Sequence, residues 1–455
     1  MNIVSRWLMG LLSRPAEQAI ATDAEGGQFC YDELWPQVVQ LIQQQRQTVT
    51  AGRWLVSCDD SVNFLVALLA VTIDTGTLVL PVNASQGGID ELKPEIDGVI
   101  TDQALRGGVT LQLPMLAGGS YSTSVAWLRS LLAERVEAPP LRLFTSGSTG
   151  KPKPIDKPLA LLLYEVEDLE LLWGGLLADR AVVSTVSAQH VYGLLFRLLW
   201  PLTAGRVFHR HNVNYPEQLQ TCGNGHVLVS SPALLSRLQG GVSEQGFTCV
   251  FSSGGPLAKG ASDQALVALG TRPVEVFGSS ETGGIAWRQS DVEGKPWRCF
   301  AGLTVARAED GRLLLNSPYL AEEDNPRLLD DLIELVDDRH FKHCGRSDSV
   351  VKIAEKRVSL LDINHRLNAL EQVEQAYSIA LLEGERDEVV AVLVLSQQGR
   401  EQLAKAGKNL LARALRAALR EHLEPAIIPR RFRYLASLPY NSQGKLSKQF
   451  LIDLF

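Results

Sequence analysis

The chain predicts an α/β fold of layered sheets and helices, on three observations. Short β-branched runs alternate along its 455 residues with longer leucine-rich stretches of helical period, a pattern that sets helices against mostly parallel strands. Hydrophobic residues make up 45% and charged residues 21%, enough apolar material for a large core. Mean hydropathy is +0.01, which excludes disordered and collagen-like classes. At roughly 150 residues per domain, length alone suggests about three units.

Taken in order, Ile3 to Leu12 is apolar around Arg6 but lacks a basic start and a cleavage site, so it reads as a buried first helix. Asn63 to Ala70 and Leu159 to Leu177 are too densely apolar for surface helices and are expected to pack between layers. The apolar stretch Leu65 to Val82 is broken by Asp74, Gly76 and Pro81 before it reaches bilayer length, so no membrane span is expected. Thr77–Leu80, Ala181–Thr185 and Val227–Ser230 read as strands. Glu401 to Leu423 reads as an amphipathic helix with Lys405, Lys408, Arg413, Arg416 and Arg420, followed by Arg430, Arg431 and Arg433. A solvated helix face accounts for those charges more simply than a binding surface.

The 44 basic and 51 acidic residues give a net charge of −7, so no overall field gathers a polyanion and nucleic acid is not an expected partner. The residues after Arg346 hold 16 basic and 13 acidic side chains, a net +3 that leaves −10 for the rest. That shift predicts a large acidic body, 1–346, and a small basic cap, 347–455. Cys30, Cys58, Cys222, Cys249, Cys299 and Cys344 follow no ligand spacing, so neither a zinc site nor a disulfide framework is indicated, and a reducing cytoplasm is expected.

The sharpest motif is Thr145-Ser146-Gly147-Ser148-Thr149-Gly150-Lys151-Pro152-Lys153, after the apolar run Leu141–Phe144. Glycines let backbone N–H groups converge on an anion, hydroxyls add donors and the lysines add charge, a combination suited to polyphosphate. A Walker loop would need glycine at Thr145 and a hydroxyl residue at Pro152, so that match fails. Pro152 and Pro154 also forbid a helix directly after the loop. Phe277-Gly278-Ser279-Ser280-Glu281-Thr282 follows the run Val274–Val276 and puts an aromatic, hydroxyls and a carboxylate at a strand end, where α/β ligands collect. The ring can stack on a base, and the carboxylate can hold Mg²⁺. Ser252-Ser253-Gly254-Gly255-Pro256 is a second glycine turn against which a planar ring could lie. Asp331, then Gly345-Arg346-Ser347-Asp348 and Lys352, and finally Gly444-Lys445 complete the series. Taken singly, each segment is more often an ordinary turn.

In this order and spacing the five segments resemble the signature motifs of the ANL superfamily of adenylate-forming enzymes: acyl-CoA synthetases, peptide-synthetase adenylation domains and luciferases. Val351 to Leu360 further resembles AMP-ligases of bacterial aryl polyene clusters. The resemblance implies a large N-terminal domain and a small mobile α+β C-terminal domain, with ATP and Mg²⁺ as cofactors. It implies that Thr145 to Lys153 hold the β- and γ-phosphates, that Gly254, Gly255 and Pro256 line adenine, and that Phe277 takes the place of a stacking tyrosine. Gly278, Ser279 and Ser280 follow, with Ser280 at the α-phosphate and Glu281 on Mg²⁺. Asp331 is implied for the ribose hydroxyls with Arg346 beside it, Asp348 for the hinge, and Lys445 for the adenylation lysine.

His190 matches the histidine at the mouth of the family's acyl pocket. Amino-acid-activating relatives place aspartate there to pair the substrate ammonium, which is costly to bury alone. The implied substrate is thus an aryl or acyl carboxylic acid rather than an α-amino acid, converted to acyl-AMP and passed to coenzyme A or an acyl carrier protein. Tyr192, Phe196 and Trp200 would suit an aryl acid, although core packing explains them as well. Two departures stand out: Glu355 where the family has glycine near the pantetheine arm, and Leu329-Asp330 where it has Thr-Gly. The competing expectation is a nucleotide-binding scaffold without turnover. Retention of Glu281, Asp331, Arg346 and Lys445 together speaks against it.

Overall fold

The computed structural model describes residues 2–48, 52–81, 86–105, 109–114, 119–133, 140–146, 152–222, 225–238, 240, 246–289, 295–347, 350–353, 356–381, 388–420, 423, 425, 427–440, 446 and 448–455. The chain divides into two compact units, one of Met1–Leu303 with Asn316–Asn325 and one of Thr304–Leu315 with Pro326–Phe455.

In the first unit the chain begins with strands β1 (Ala19–Thr22) and β2 (Gln28–Cys30). It then lays down β3 (Arg53–Ser57), β4 (Thr77–Leu80), β5 (Gly98–Thr101), β6 (Thr110–Gln112), β7 (Pro140–Ser146) and β8 (Pro152–Pro158). These six form one sheet in the order β6-β5-β3-β4-β7-β8, parallel except for the β7–β8 hairpin. The chain continues with β9 (Val182–Ser184), β10 (Phe208–His209), β11 (Val227–Ser230), β12 (Cys249–Ser252), β13 (Val274–Ser279), β14 (Gly283–Gln289) and β15 (Trp297–Cys299). A second sheet runs β15-β14-β13-β12-β11-β9-β10-β1-β2, with a parallel centre and antiparallel flanks. The expected α/β layering with mostly parallel strands is therefore present.

The helix Ile3–Leu11 forms where expected, its first turn capped by Asn2 Oδ1 accepting from the Ser5 N–H at 2.8 Å. Every residue of the helix Ser61–Ile73 is buried, as its apolar density requires. The helix Leu159–Leu177 departs from expectation. Leu162, Val166, Leu169, Trp173 and Leu177 are buried, but Leu171 is 84% and Leu176 53% exposed. Only one stripe of this helix meets the core; composition alone obscured a 3.6-residue period that the buried positions obey.

In the second unit β16 (Thr304–Arg307), β17 (Arg312–Asn316), β18 (Arg327–Leu335) and β19 (His340–Arg346) are neighbours in that order. A hairpin, β20 (Val350–Ile353) and β21 (Lys356–Ser359), leads to the three-stranded sheet β22 (Val373–Leu381), β23 (Glu388–Leu395) and β24 (Arg431–Leu435). Helices Leu360–Asn368 and Gln397–Leu419 cover it through Ile363, Leu367, Leu411, Leu415 and Leu419 against Ala391 and Leu393. The basic helix starts four residues earlier than its pattern suggests and ends at Leu419, with a break at Gly407, where φ is +78°. Packing groups residues 304–315 and 326–346 with the C-terminal segment, whereas the charge shift alone draws its boundary at 346. Among the described residues no helix is long and apolar enough to cross a membrane.

Candidate active site

The phosphate motif straddles a hairpin. Thr145 pairs with Lys153 and Ser146 with Pro152, so the first two motif residues belong to β7 rather than to a loop. Gly147, Ser148, Thr149, Gly150 and Lys151 lie outside the described residues. The hairpin is pinned near its base by Arg142, which donates to both Asp156 oxygens at 2.7 and 2.8 Å across the ladder and to Glu95 at 3.0 Å. The exclusion of a helix after the loop holds, because β8 follows directly.

Parallel neighbours β12 and β13 deliver the next two motifs side by side. β12 ends at Ser252, and Gly254, Gly255 and Pro256 form an exposed turn with Gly254 at φ +93°. The Ser253 hydroxyl donates to the Val276 carbonyl at 2.8 Å and ties that turn to β13. Strand β13 runs on to Ser279, so Phe277, Gly278 and Ser279 are strand residues, and the turn proper is Ser280-Glu281-Thr282. The Phe277 ring lies 5.5 Å from that of Trp297.

The turn is locked internally. Thr282 is fully buried; its hydroxyl accepts from the Ser279 N–H at 3.1 Å, and its own N–H donates to the Ser279 hydroxyl at 3.2 Å. A Cβ on Gly278 would lie 2.3 Å from the Gly283 carbonyl oxygen, which makes glycine obligatory there. Glu281 is partly exposed, and among the described residues its carboxylate makes no hydrogen bond or ion pair. A hard divalent cation that keeps waters and phosphate ligands needs only one or two protein carboxylates, so this side chain fits Mg²⁺.

Two buried groups that the sequence reading missed support this turn. Lys157, on β8, donates to the Glu281 carbonyl oxygen at 3.3 Å, and Glu165 accepts from the Gly284 N–H at 2.8 Å. Glu165 was detectable: it falls on the inward stripe between Leu162 and Leu169, and a charge in such a stripe needs a partner.

His190 precedes the short helical turn Val191–Gly193, and its carbonyl accepts from the Leu194 N–H at 2.6 Å. A Cβ on Gly193 would meet the Ser187 carbonyl oxygen at 2.0 Å, so glycine lets the segment before His190 fold back closely. Arg197, fully buried, donates to Val186 O at 2.9 Å and to Arg210 O at 2.9 Å, bracing the same segment. Phe196 and Trp200 are each 2% exposed and engage Trp173 and Phe251 ring to ring, at centroid distances of 5.1 to 6.5 Å. Packing occupies these two rings. Tyr192 rests on Phe196 at 4.9 Å.

In the second unit Asp331 pairs with Arg346 across β18 and β19. Asp331 is 8% exposed, with His343 Nε2 at 2.8 Å from one carboxylate oxygen and an Arg346 nitrogen at 3.5 Å from the other. The neighbouring Asp330 faces Arg346 at 3.6 Å and Arg312 at 3.7 Å and accepts from the Ser347 hydroxyl at 3.2 Å. The sequence reading missed His343. Asp348, Glu355 and Lys445 lie outside the described residues.

The model of a family described as AMP-binding enzyme matches residues 132–309. The chain is 31% identical over 321 residues to a 4-coumarate–CoA ligase of Rhodobacter capsulatus, covering 69% of this chain and 77% of that protein. It is 30% identical over 126 residues to a D-alanine–D-alanyl carrier protein ligase of Streptococcus equi subsp. equi, covering 27% and 24%. Among solved structures, ATP-bound MatB from Rhodopseudomonas palustris superposes with a TM-score of 0.81 at 18% identity, over 100% of this chain and 99% of that one. A benzoate CoA ligase from Burkholderia xenovorans gives a TM-score of 0.76 at 19% identity, over 98% and 99%. These structural likenesses establish a shared fold.

Proposed function

Because the chain belongs to the AMP-binding enzyme family, within the ANL superfamily of adenylate-forming proteins, we infer that it is an AMP-forming acid–thiol ligase. It activates a carboxylic acid with ATP and passes the acyl group to a phosphopantetheine thiol. The observation that carries this reading is the parallel pairing of β12 and β13, which sets the turn after β12, Gly254-Gly255-Pro256, beside the strand that leads to Glu281.

In the first half-reaction a substrate carboxylate oxygen attacks the α-phosphorus. The bond to the bridging oxygen breaks, and pyrophosphate leaves. The Thr145–Lys153 hairpin holds the β- and γ-phosphates, Ser280 contacts the α-phosphate and Phe277 stacks on adenine. Mg²⁺, when bound, supplies charge neutralisation across the phosphates, and Glu281 is the residue that would hold it. Lys445 brings positive charge to the oxyanion that builds in the transition state. Asp331 takes the ribose hydroxyls, and Arg346 helps to orient that carboxylate. In the second half-reaction the cap, 347–455, turns about Asp348. A thiol attacks the acyl carbon and loses its proton, the mixed-anhydride C–O bond breaks and AMP leaves.

The acid is an aryl or acyl acid rather than an α-amino acid, on the support of His190 where amino-acid activation needs a carboxylate. The similarity to 4-coumarate–CoA ligase over most of both chains supports coenzyme A as acceptor. The shorter match to a carrier-protein ligase supports an acyl carrier protein. A cytoplasmic location rests on the cysteine spacing alone.

Pyrophosphate release measured across benzoates, cinnamates and fatty acids, each with coenzyme A and with a phosphopantetheinylated carrier protein, tests the reading. One acid class is expected to raise turnover well above background. Absence of pyrophosphate exchange with every acid would favour the scaffold reading instead.

A further inference from the structure

The turn that carries Glu281 is gripped from two sides by buried charge. Lys157 and Glu165 are each 2% exposed. The lysine holds the carbonyl of Glu281 itself, and the glutamate holds the N–H three residues on. A Cβ on Gly283 would stand 2.6 Å from one Glu165 oxygen, and one on Gly284 2.9 Å from the other. Both glycines are thus places where the carboxylate lies directly against backbone. Burial pushes the Glu165 carboxyl up, while the Lys157 charge and the Gly284 N–H hold it back. Apolar residues of similar volume would fill this space with less desolvation cost, so cohesion alone does not explain two charges here. What a charged, hydrogen-bonded grip adds over apolar packing is fixed backbone geometry on both sides of Glu281.

We propose that Lys157 and Glu165 are positioning residues for adenylation, fixing the Ser279–Gly284 turn so that the Glu281 carboxylate is presented to the divalent cation on the nucleotide. The proposal rests on the assignment of Glu281 above. Lys157 stands on the return strand of the phosphate hairpin, Glu165 on the helix Leu159–Leu177 and Glu281 between β13 and β14, so one pair joins three elements of the ATP site into a frame. Neither residue touches the reacting atoms. Their effect is to leave Glu281 only its side-chain rotamers, as outer partners do for metal ligands generally.

The test compares wild type, Lys157→Met, Glu165→Gln and Glu281→Gln by calorimetric titration with ATP, without acid substrate, once in Mg²⁺ and once in EDTA. Lys157→Met and Glu165→Gln are expected to bind ATP as wild type does in EDTA. They should also lose roughly 10- to 100-fold of the affinity that Mg²⁺ adds. In pyrophosphate exchange their half-saturating Mg²⁺ is expected to rise in proportion, with turnover recovering at saturating Mg²⁺. Wild-type Mg²⁺ dependence in both variants, with loss in Glu281→Gln, would overturn the proposal and leave the Glu281 assignment standing. Unchanged Mg²⁺ dependence in Glu281→Gln would remove that assignment first. Equal weakening with and without Mg²⁺ would mark the pair as mere structural support and likewise overturn the proposal. Should Lys157→Met fail to fold, Glu165→Gln decides, since it keeps its size and its acceptor for Gly284.

Discussion

His343 Nε2 sits 2.8 Å from Asp331 Oδ1, on the strand beside it, while the Gly345 N–H points at the other ring nitrogen from 3.4 Å. That arrangement puts the ring proton on Nε2, where it donates to the carboxylate. Asp331 is thereby held with one oxygen on an imidazole and the other toward Arg346, an orientation suited to accepting from vicinal hydroxyls. A charged hydrogen bond contributes about 1.5 to 3 kcal/mol. Asp331→Asn is accordingly expected to raise KM for ATP roughly 10- to 100-fold. His343→Phe removes a supporting bond and is expected to cost about 3- to 10-fold. Steady-state kinetics with ATP and 2′,3′-dideoxy-ATP check both. Wild type must discriminate between the two nucleotides, and Asp331→Asn must not.

On the role proposed for Lys445 in adenylation, Lys445→Ala is expected to abolish pyrophosphate exchange while sparing thioester formation from supplied acyl-AMP. Intact exchange in this variant would sink the assignment.

Gly278→Ala places a methyl group 2.3 Å from the Gly283 carbonyl oxygen, so the turn must shift or the strand must strain. A loss of about 1 to 3 kcal/mol is expected, together with weakened ATP binding. Gly260→Ala is the control, since a Cβ there meets nothing within 4 Å. Thermal melts of the two variants should separate clearly.

His209 titrates at about 4, lowered by burial and by the charges of His226 and Arg197. Its ordinary value is about 6.5, so between pH 6.5 and 4 the unfolded chain binds a proton that the folded chain refuses. Stability is therefore expected to fall as pH drops through that window, with no further contribution below it. Between pH 7 and pH 4 the melting temperature of wild type should fall more steeply than that of His209→Gln. Parallel curves would show that burial of this ring does not govern the slope.

Lys408 and Arg413 are exposed on the basic helix, but Arg416 donates to Arg430 O at 2.7 Å and lies over the Phe432 ring. Charge reversal at Arg416 would therefore test folding rather than docking. Lys408→Glu with Arg413→Glu is expected to lower kcat/KM for an acidic carrier protein roughly tenfold at low salt, and less at high salt. Indifference of both acceptors would leave this face merely solvated.

Legibility in the sequence varied for physical reasons. Strands Thr77–Leu80 and Val227–Ser230 have the bounds their β-branched runs announced, because central parallel strands are buried on both faces. The helix Leu159–Leu177 had legible ends but an illegible outer face, since leucines on a surface stripe look like leucines in a core. The turn Ser280-Glu281-Thr282 stands at the end of the strand where its residue pattern put it. Lys157 was not legible, because prolines at 152, 154 and 158 break up the pattern of the strand that buries it. His343 meets Asp331 through the pairing of β18 with β19 across a bulge between Leu332 and Ile333, a register no local pattern encodes.

The chain leaves the first unit after Leu303, returns for Asn316–Asn325 and leaves again at Pro326. A single genetic crossover at Pro326 would strand β16 and most of β17 with the old body, and one at Thr304 would carry Asn316–Asn325 into a foreign core. Replacing the second unit by that of a relative therefore takes two coordinated exchanges. Exchange at either crossing alone would leave one unit completed by a segment that its own core was not built to receive.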